Sequence, residues 1–494
     1  MALCGGALYA GTTQAVPKLP KPPARRPNLL VVFPDQMRAQ AQGFMHMDRA
    51  ITPNLDRLAK ESHVFTQMVS NYPVCSPFRG IFMSGALPSV SGVTGNCRTL
   101  VASGEPGPEL RKDITCWSDV LAKAGYDTYY IGKWHLDAPY APYIRCCNNS
   151  KTMAWNEWCS PDRRHGFRYW HAYGTYDIHL RPMYWDTDAP RDGYRFVDQW
   201  GPEYEADRAI ACLKQVKEPF AMVVSMNPPH MPYTQVPERY RKNFRGKAAE
   251  SLADGDYRPA KSPMGRLFRS AMGDYLAAVQ GVDDQFGRIL RELKARGLDQ
   301  NTVVLFTSDH GNCLGAHGIA AKNNCYEESM RIPCLIRWPG RIRPASDTGL
   351  TDAFDLAPTL LGLLNLPIPE TMAGRNLADH LLGKTSADLS EPRLYLRIGA
   401  AGNEEPPTDI LEKTTPIPEK PVRYGQRGLR GRRFTASFVC NGPGKPLRVF
   451  LSDRLSDPQQ RTNCAKQLPD EVARLRAHLK AHLEHLGDTF AALL

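Results

Sequence analysis

"TVVLFTSDHGN", residues 302–312, sets an apolar run directly against Asp309, His310, Gly311 and Asn312. The run is too short for a helix and rich in apolar and β-branched residues, the pattern of a strand buried on both faces. Three further runs end in the same way. "NLLVVF" (28–33) meets Pro34, Asp35 and Gln36; "YDTYYIG" (126–132) meets Lys133, Trp134 and His135; "FAMVVSM" (220–226) meets Asn227, two prolines and His230. Helical patterns lie between them: "TPNLDRLAKES" (52–62), with Thr52 as cap and Pro53 in the first turn, "SAMGDYLAAVQGVDDQFGRILRELKARG" (270–297) and "TDAFDLAPTLLGLL" (351–364). The alternation predicts an α/β fold, a large mainly parallel sheet sandwiched by helices. Ligands of such sheets collect beyond the carboxyl ends of the strands. Four strand ends carrying Asp, Lys and His therefore predict one site.

The composition, 42% apolar and 23% charged over 494 residues, is that of a globular protein with ample chain for a core. Its net charge of +11 is scattered rather than gathered into one basic block. With no helix-turn-helix, zinc-finger or RNP-like signature, an anionic small molecule or glycan is the expected partner, not nucleic acid. No run approaches the ~18 apolar residues of a membrane span, so no stable membrane insertion is expected. Residues 1–26 read as a leader, small and mildly apolar, followed by the proline-rich tether "KLPKPPARRP". The leader resembles the tail of a secretory signal without its basic start, which predicts a periplasmic or secreted protein, with the cytoplasm as the alternative. Thirteen cysteines leave at least one unpaired; Cys97, Cys116, Cys146, Cys147 and Cys159 could pair in an oxidising compartment. The absence of any Cys-x-x-Cys argues against a zinc ribbon.

Residues 27–375 are expected to form the catalytic unit and 376–494 a smaller C-terminal α+β unit. In the latter, "RGRRFTASFVC" and "KPLRVFLSD" predict an antiparallel hairpin, followed by a helix from about Asp470 to His485. Residues 401–420 read as a flexible loop. Residues 140–200 read as an irregular insertion holding Trp155, Trp158, Trp170 and Trp185 among arginines. It is either a packed surface excursion or a platform on which rings of a ligand stack while arginine holds an anionic group.

Asp35, Gln36, Asp309 and His310 offer oxygen and imidazole ligands to one divalent ion. Acidic oxygens favour calcium or magnesium; an imidazole also suits manganese or zinc. "NYPVCSPFRGIFMSG" (71–85) adds a cysteine on a proline-punctuated turn at the mouth of an apolar helix, where the helix dipole favours a reactive anionic group. Burial as a small apolar residue is the alternative reading of Cys75.

The chain resembles the type I sulfatases of the alkaline-phosphatase-like superfamily. The resemblance is carried by "CSPFRG", "VVFPDQMR", "IGKWHL", "NPPHMPY", "TSDHGNCLGAHG" and Lys322 in "AAKNNCYEESMRIPCLIRWPG". "TDAFDLAPTLLGLL" and "LSDRLSDPQQRTNCA" follow in order, so that it covers roughly residues 27–465. It implies that a separate formylglycine-generating or anaerobic maturation enzyme oxidises Cys75 to Cα-formylglycine, whose hydrate is the nucleophile. It further implies that Asp35, Gln36, Asp309, His310 and the modified Cys75 hold the metal, most simply Ca2+ with Mg2+ or Mn2+ as alternatives. Arg79 would hold the diol. His135 would take its second proton, and Lys133 would bind sulfate oxygen. His230 and Lys322 would hold sulfate and protonate the leaving alcohol. The expected activity is hydrolysis of a carbohydrate or aryl sulfate ester. The alternatives are a phosphonate monoester or phosphodiester hydrolase, or an anion-binding pseudoenzyme with an unconverted cysteine.

The chain departs from the family pattern in two places. Asp35-Gln36 stands where many members have two aspartates, as in choline-sulfatase-like enzymes and phosphonate monoester hydrolases. Ala316 stands where a glutamate often precedes His317, which is expected to act indirectly. Asn96 is a candidate contact to the anion. His478 and His482, at i,i+4 spacing near the C-terminus, read as a solvated helix face, and Asp283 and Asp284 as local capping or pairing groups.

Overall fold

The computed structural model describes residues 25–255, 259–398 and 424–494. Strands β1 (Asn28–Pro34), β2 (His63–Val69), β3 (Asp127–Lys133), β4 (Tyr169–Tyr173), β5 (Phe220–Met226), β6 (Thr302–Thr307), β7 (Cys334–Arg337) and β8 (Ala345–Asp352) form one sheet in the order β8-β2-β7-β6-β1-β5-β3-β4. All neighbours pair in parallel except β7, which runs against both of its own. The sheet feeds two cores. Leu29, Val31 and Phe33 pack on one face with Val303 and Leu305, whereas Leu30 and Val32 pack on the other with Val304 and Phe306. Alternate side chains of a strand point to opposite faces, so continuous apolar runs are what a doubly covered sheet requires.

The four runs flagged in the sequence are the adjacent strands β6, β1, β5 and β3. Asp35 extends the β1–β5 ladder by donating its backbone N–H to the Met226 carbonyl (2.8 Å). Gly132 (φ 101°) lets Ser225 approach β3 closely; a Cβ there would lie 2.1 Å from the Ser225 carbonyl oxygen.

The long helix Pro263–Ala295 packs on the face lined by Leu30 and Val32 and begins earlier than expected, capped by Ser262 accepting from the Gly265 N–H (3.0 Å). Its buried Asp283 accepts from the backbone N–H groups of Asn54 (3.1 Å) and Leu55 (2.7 Å). Thr52 therefore does not cap the helix Pro53–Lys60 as expected. The cap comes from another helix, and Thr52 instead accepts from the Gly43 N–H and donates to Asp56.

The C-terminal segment carries an antiparallel sheet of β9 (Arg393–Ile398), β10 (Gly425–Arg430), β11 (Phe434–Cys440) and β12 (Arg448–Asp453), then the helix Pro469–His485. The expected hairpin is β11–β12; β9 and β10 are additional. The expected loop 401–420 and residues 1–24 of the leader lie outside the described residues. Leu394, Leu396, Phe438 and Leu451 join the core cluster of the main sheet, and the Leu396 N–H reaches the Asn71 carbonyl (2.7 Å).

Three further expectations need correction. The insertion 140–200 is not irregular throughout, because β4 is the edge strand of the main sheet, and Trp170 and Trp185 are buried. Cys97, Cys116, Cys146, Cys147 and Cys159 form no disulfides; every cysteine among the described residues is a free thiol. His478 and His482 are half-buried, and His478 lies 3.6 Å from Glu391, so their face is not simply solvated.

Candidate active site

Cys75 is the first residue of the helix Cys75–Ser84, all of which is buried. Pro77 sits in the first turn, where its missing N–H costs no helical hydrogen bond. Arg79, four residues on, falls one turn later on the same face. That explains the spacing of the motif. The Arg79 guanidinium donates to the Lys133 carbonyl (2.6 Å), Ser225 Oγ (2.8 Å), Asp35 Oδ2 (3.2 Å) and Asp309 Oδ2 (3.1 Å). It ties the cysteine helix to the ends of four strands.

Around Cys75 Sγ stand Lys322 Nζ at 3.3 Å, His310 Nε2 at 3.3 Å, Asp35 Oδ1 at 3.6 Å and Lys133 Nζ at 4.0 Å. His310 Nδ1 lies 2.9 Å from the Gly311 carbonyl, which can only accept, so Nδ1 carries the proton and the Nε2 lone pair faces the cluster. Burial pushes the His310 imidazole down to about 4 and keeps it neutral. Burial also opposes ionisation of Asp35, but Lys133, His230 and Lys322 outweigh it and hold this carboxyl well below the usual range. Asp309 moves the other way, raised by burial and by the charge of Asp35.

One ligand atom from each of Asp35, Cys75, Asp309 and His310 lies within 4.8 Å of the others. Gln36 has a left-handed backbone (φ 68°), held by its N–H to Asp309 Oδ1 (2.9 Å) and by its carbonyl accepting from Tyr275 (2.9 Å). Both atoms of its buried carboxamide lack a hydrogen-bond partner. An unmatched buried carboxamide beside two carboxylates, one of them raised, is the donor set a hard divalent cation satisfies. The residues fit the ion.

His135 is buried with φ 54°, and neither ring nitrogen has a hydrogen-bond partner. Burial, then Lys133 and Arg79, push its imidazole well below the usual value, so it is a neutral proton acceptor. His230 Nδ1 lies 2.8 Å from the Met231 carbonyl and 3.5 Å from Asp177 Oδ1. Asn96 accepts from the Ser76 N–H (3.2 Å), so it steadies the cysteine turn. His317 is paired with Glu328 (3.0 Å) and stacked on Tyr326.

Arg163, one of the arginines of the insertion, is engaged within the fold. Its Nε donates to Asp137 (2.6 Å), which also receives Trp134 Nε1 (2.8 Å), so it props the turn after Lys133. Trp155 is half-buried, with its ring 6.5 Å from that of His135 and the Arg98 guanidinium over it at 5.3 Å. Sequence reasoning gave no role to Asp177 or Asn227. Asn227 carried a signal, a polar residue ending a strand; Asp177, inside the insertion, carried none.

A buried cysteine at a helix start, an unmatched oxygen-rich cluster and a cup of lysines and histidines beyond the strand ends suit a hydrolase for an anionic ester in an alkaline-phosphatase-like fold. The sulfatase family profile matches residues 27–366. An endo-4-O-sulfatase of Bacteroides thetaiotaomicron is 36% identical, over 98% of this chain and 97% of its own length. An ulvan-active sulfatase of Formosa agariphila is 29% identical over 94% and 82%. The structure of a sulfatase-family protein, yidJ, of Bacteroides fragilis superposes with a TM-score of 0.86 at 43% identity, covering 97% of this chain and 99% of that one. A phosphonate monoester hydrolase of Agrobacterium radiobacter, at 21% identity and a TM-score of 0.66, shares the fold. The chain belongs to the sulfatase family and is a sulfuric ester hydrolase.

Proposed function

We propose that this protein hydrolyses a sulfate ester of a polysaccharide, with formylglycine derived from Cys75 and a divalent cation, most simply Ca2+. The observation that carries this reading is the packing of cationic and unmatched polar groups around Cys75 Sγ, with Lys322 and His310 at 3.3 Å. Asp35, Gln36, Asp309, His310 and the modified Cys75 would hold the cation, which supplies Lewis-acid charge to the nucleophile and to sulfate. Formylglycine supplies a hydrated aldehyde, whose second hydroxyl allows sulfate to be released without attack by external water.

Lys133 and Lys322 remain protonated, because Asp35 and the Cys75 position outweigh the cost of burial, and they clamp sulfate oxygens. Neutral His135 accepts a proton. His230, whose imidazole is raised because the carboxylates Asp177 and Asp35 outweigh burial and the nearby lysines, donates one to the leaving oxygen. Arg79 holds the helix that presents residue 75. Residues 27–375 form the catalytic unit in this reading, and the C-terminal sheet buttresses it.

The polysaccharide substrate is supported by the sulfated-glycan relatives and by half-buried Trp155 beside His135. Among the described residues no helix is long and apolar enough to cross a membrane; such a substrate is met in the periplasm or outside the cell, after a maturation enzyme has acted. The test is the matured enzyme on desulfation of sulfated oligosaccharides, aryl sulfates and phosphonate monoesters, with the mass of the Cys75 peptide read alongside. Highest kcat/KM on a sulfated saccharide is expected. Faster phosphonate turnover, or full activity with unmodified Cys75, overturns the reading.

A further inference from the structure

The carboxylate of Asp177 joins three elements distant in sequence. Its Oδ1 accepts from Asn227 Nδ2 (2.9 Å) and faces His230 Nδ1 (3.5 Å), and its Oδ2 accepts from Asn148 Nδ2 (2.5 Å). Its own N–H is held by Asn148 Oδ1 (3.2 Å) and Cys147 Sγ (3.3 Å). The side chain is 17% exposed. The orientation of Asn227 follows from its neighbours. A carboxylate only accepts and a lysine only donates, so Nδ2 faces Asp177 and Oδ1 faces Lys133 Nζ (3.1 Å). One carboxylate thereby orients two cationic groups of the sulfate cup, His230 directly and Lys133 through Asn227. Lys133, at the end of β3, is also paired directly with Asp35 (2.7 Å), and His230, just beyond β5, has Nδ1 on the Met231 carbonyl, so Asp177 adds a further hold on each side chain, the more direct one on His230.

His230 lies in the field of Lys322 and Lys133 on one side and of Asp177 and Asp35 on the other. With Nδ1 turned to Asp177 and to the Met231 carbonyl, its other nitrogen is left for substrate. We propose that Asp177 is a positioning residue for sulfate ester cleavage: it aims His230 at the leaving oxygen, stabilises the imidazolium and steadies Lys133 through Asn227. This rests on the assignment of His230 as the acid under the proposed function. As the S–O bond to the leaving group breaks, the Nε2 proton of the imidazolium passes to that oxygen, leaving a neutral imidazole and an alcohol. The insertion 140–200 thus serves the reaction through a carboxylate held by Asn148, in addition to any contact with sugar.

A structural role and a proton-donor role separate by leaving group. Poor leaving groups need the proton, whereas good ones such as 4-nitrophenolate depart with little help. The experiment measures kcat/KM of the matured enzyme on aryl sulfates from 4-nitrophenyl to phenyl sulfate. It compares the parent with Asp177→Asn, Asp177→Glu, His230→Ala and the Asp177→Asn/His230→Ala pair. Asp177→Asn is expected to cost about tenfold on 4-nitrophenyl sulfate and about a hundredfold or more on phenyl sulfate. The dependence on leaving-group pKa then steepens, and Asp177→Glu restores part of the parent's slope. His230→Ala should show the steep slope alone, and the double variant the same slope. Should Asp177→Asn not fold, Asp177→Ser takes its place. A uniform loss on every substrate, or a glutamate variant as steep as asparagine, overturns the proposal while His230→Ala stays steep. A flat His230→Ala series instead overturns the acid assignment itself, and the proposal with it.

Discussion

Lys322 and Glu327 stand five residues apart and enter two buried charge clusters of opposite kind. Glu327 Oε1 accepts from Arg430 Nε (2.9 Å) and lies 3.2 Å from Arg454 Nε. Its Oε2 accepts from Arg430 (2.8 Å) and Arg454 (3.2 Å), and both arginines also reach Gln67 Oε1. Every carboxylate oxygen there is matched. Around Cys75, by contrast, the Gln36 carboxamide and both His135 nitrogens have no partner. The two clusters are alike in burial and in shifted ionisation, and differ in saturation. A closed cluster joins the main sheet to β10, whereas an open one is prepared for groups from outside the chain. Buried charge alone therefore does not mark chemistry here; what sets the cluster around Cys75 apart is that unmatched groups and charges converge there on the ends of adjacent parallel strands.

The largest expected effect breaks the open cluster at its centre. Cys75→Ala should reduce sulfate ester turnover by about a thousandfold or more, because it removes the proposed nucleophile, while thermal unfolding moves by no more than a few degrees. Residual activity within tenfold of the parent refutes the role of residue 75. Chelation comes next. Removing divalent metal should lower kcat by about a hundredfold or more, and Ca2+ should restore it. Ca2+ should also raise the melting temperature of the parent and much less that of Asp309→Asn, a readout independent of turnover. A parent whose melting temperature ignores Ca2+ removes the metal from the open cluster.

The closed cluster should give the converse pattern. Glu327→Gln leaves two buried guanidinium groups short of a counter-charge and should cost about 3 kcal/mol of stability in denaturant unfolding, with kcat unchanged well below the transition. The sign with pH is fixed. Burial opposes ionisation of Glu327, but Arg430 and Arg454 prevail and hold its carboxyl below the ordinary glutamate value of 4.5. Its contribution is therefore complete above that value and is lost as pH falls beneath it. Glu327→Gln should show a shallower loss of stability in that acid window than the parent; parallel curves contradict the assignment. The smallest effects divide the insertion. Trp155→Ala should lower kcat/KM several-fold on a sulfated oligosaccharide and little on an aryl sulfate. Arg163→Ala should lower both equally, since it acts through Asp137 and Trp134.

What was legible in the sequence follows the same division. Residues that end parallel strands, Asp35, Lys133, His230 and Asp309, could be placed because strand ends of such a sheet converge by topology. Cys75 and Arg79 could be placed because a helical spacing of four fixes one face. Asp177 could not, since it reaches the site from an insertion whose path no periodicity encodes. The role of Arg163 was hidden for a related reason: an arginine among the tryptophans of the insertion reads as a ligand contact until its partner Asp137 is seen. Asp283 was read as a local capping or pairing group, whereas it caps a helix more than two hundred residues earlier in the chain. The edge strand β4 was hidden because "RYWHAY" is aromatic rather than aliphatic and sits amid turns.

Cys75 is 2% exposed, and no residue of its helix reaches solvent appreciably. Arg79 locks that helix to Asp35, Lys133, Ser225 and Asp309, which span nearly the whole length of the main sheet in sequence. The maturation proposed above requires that a second enzyme reach this thiol, which the folded chain keeps buried. The proposed maturation is therefore a race against folding: the strand end bearing Asp309, which packs beside residue 75, is synthesised more than two hundred residues after it.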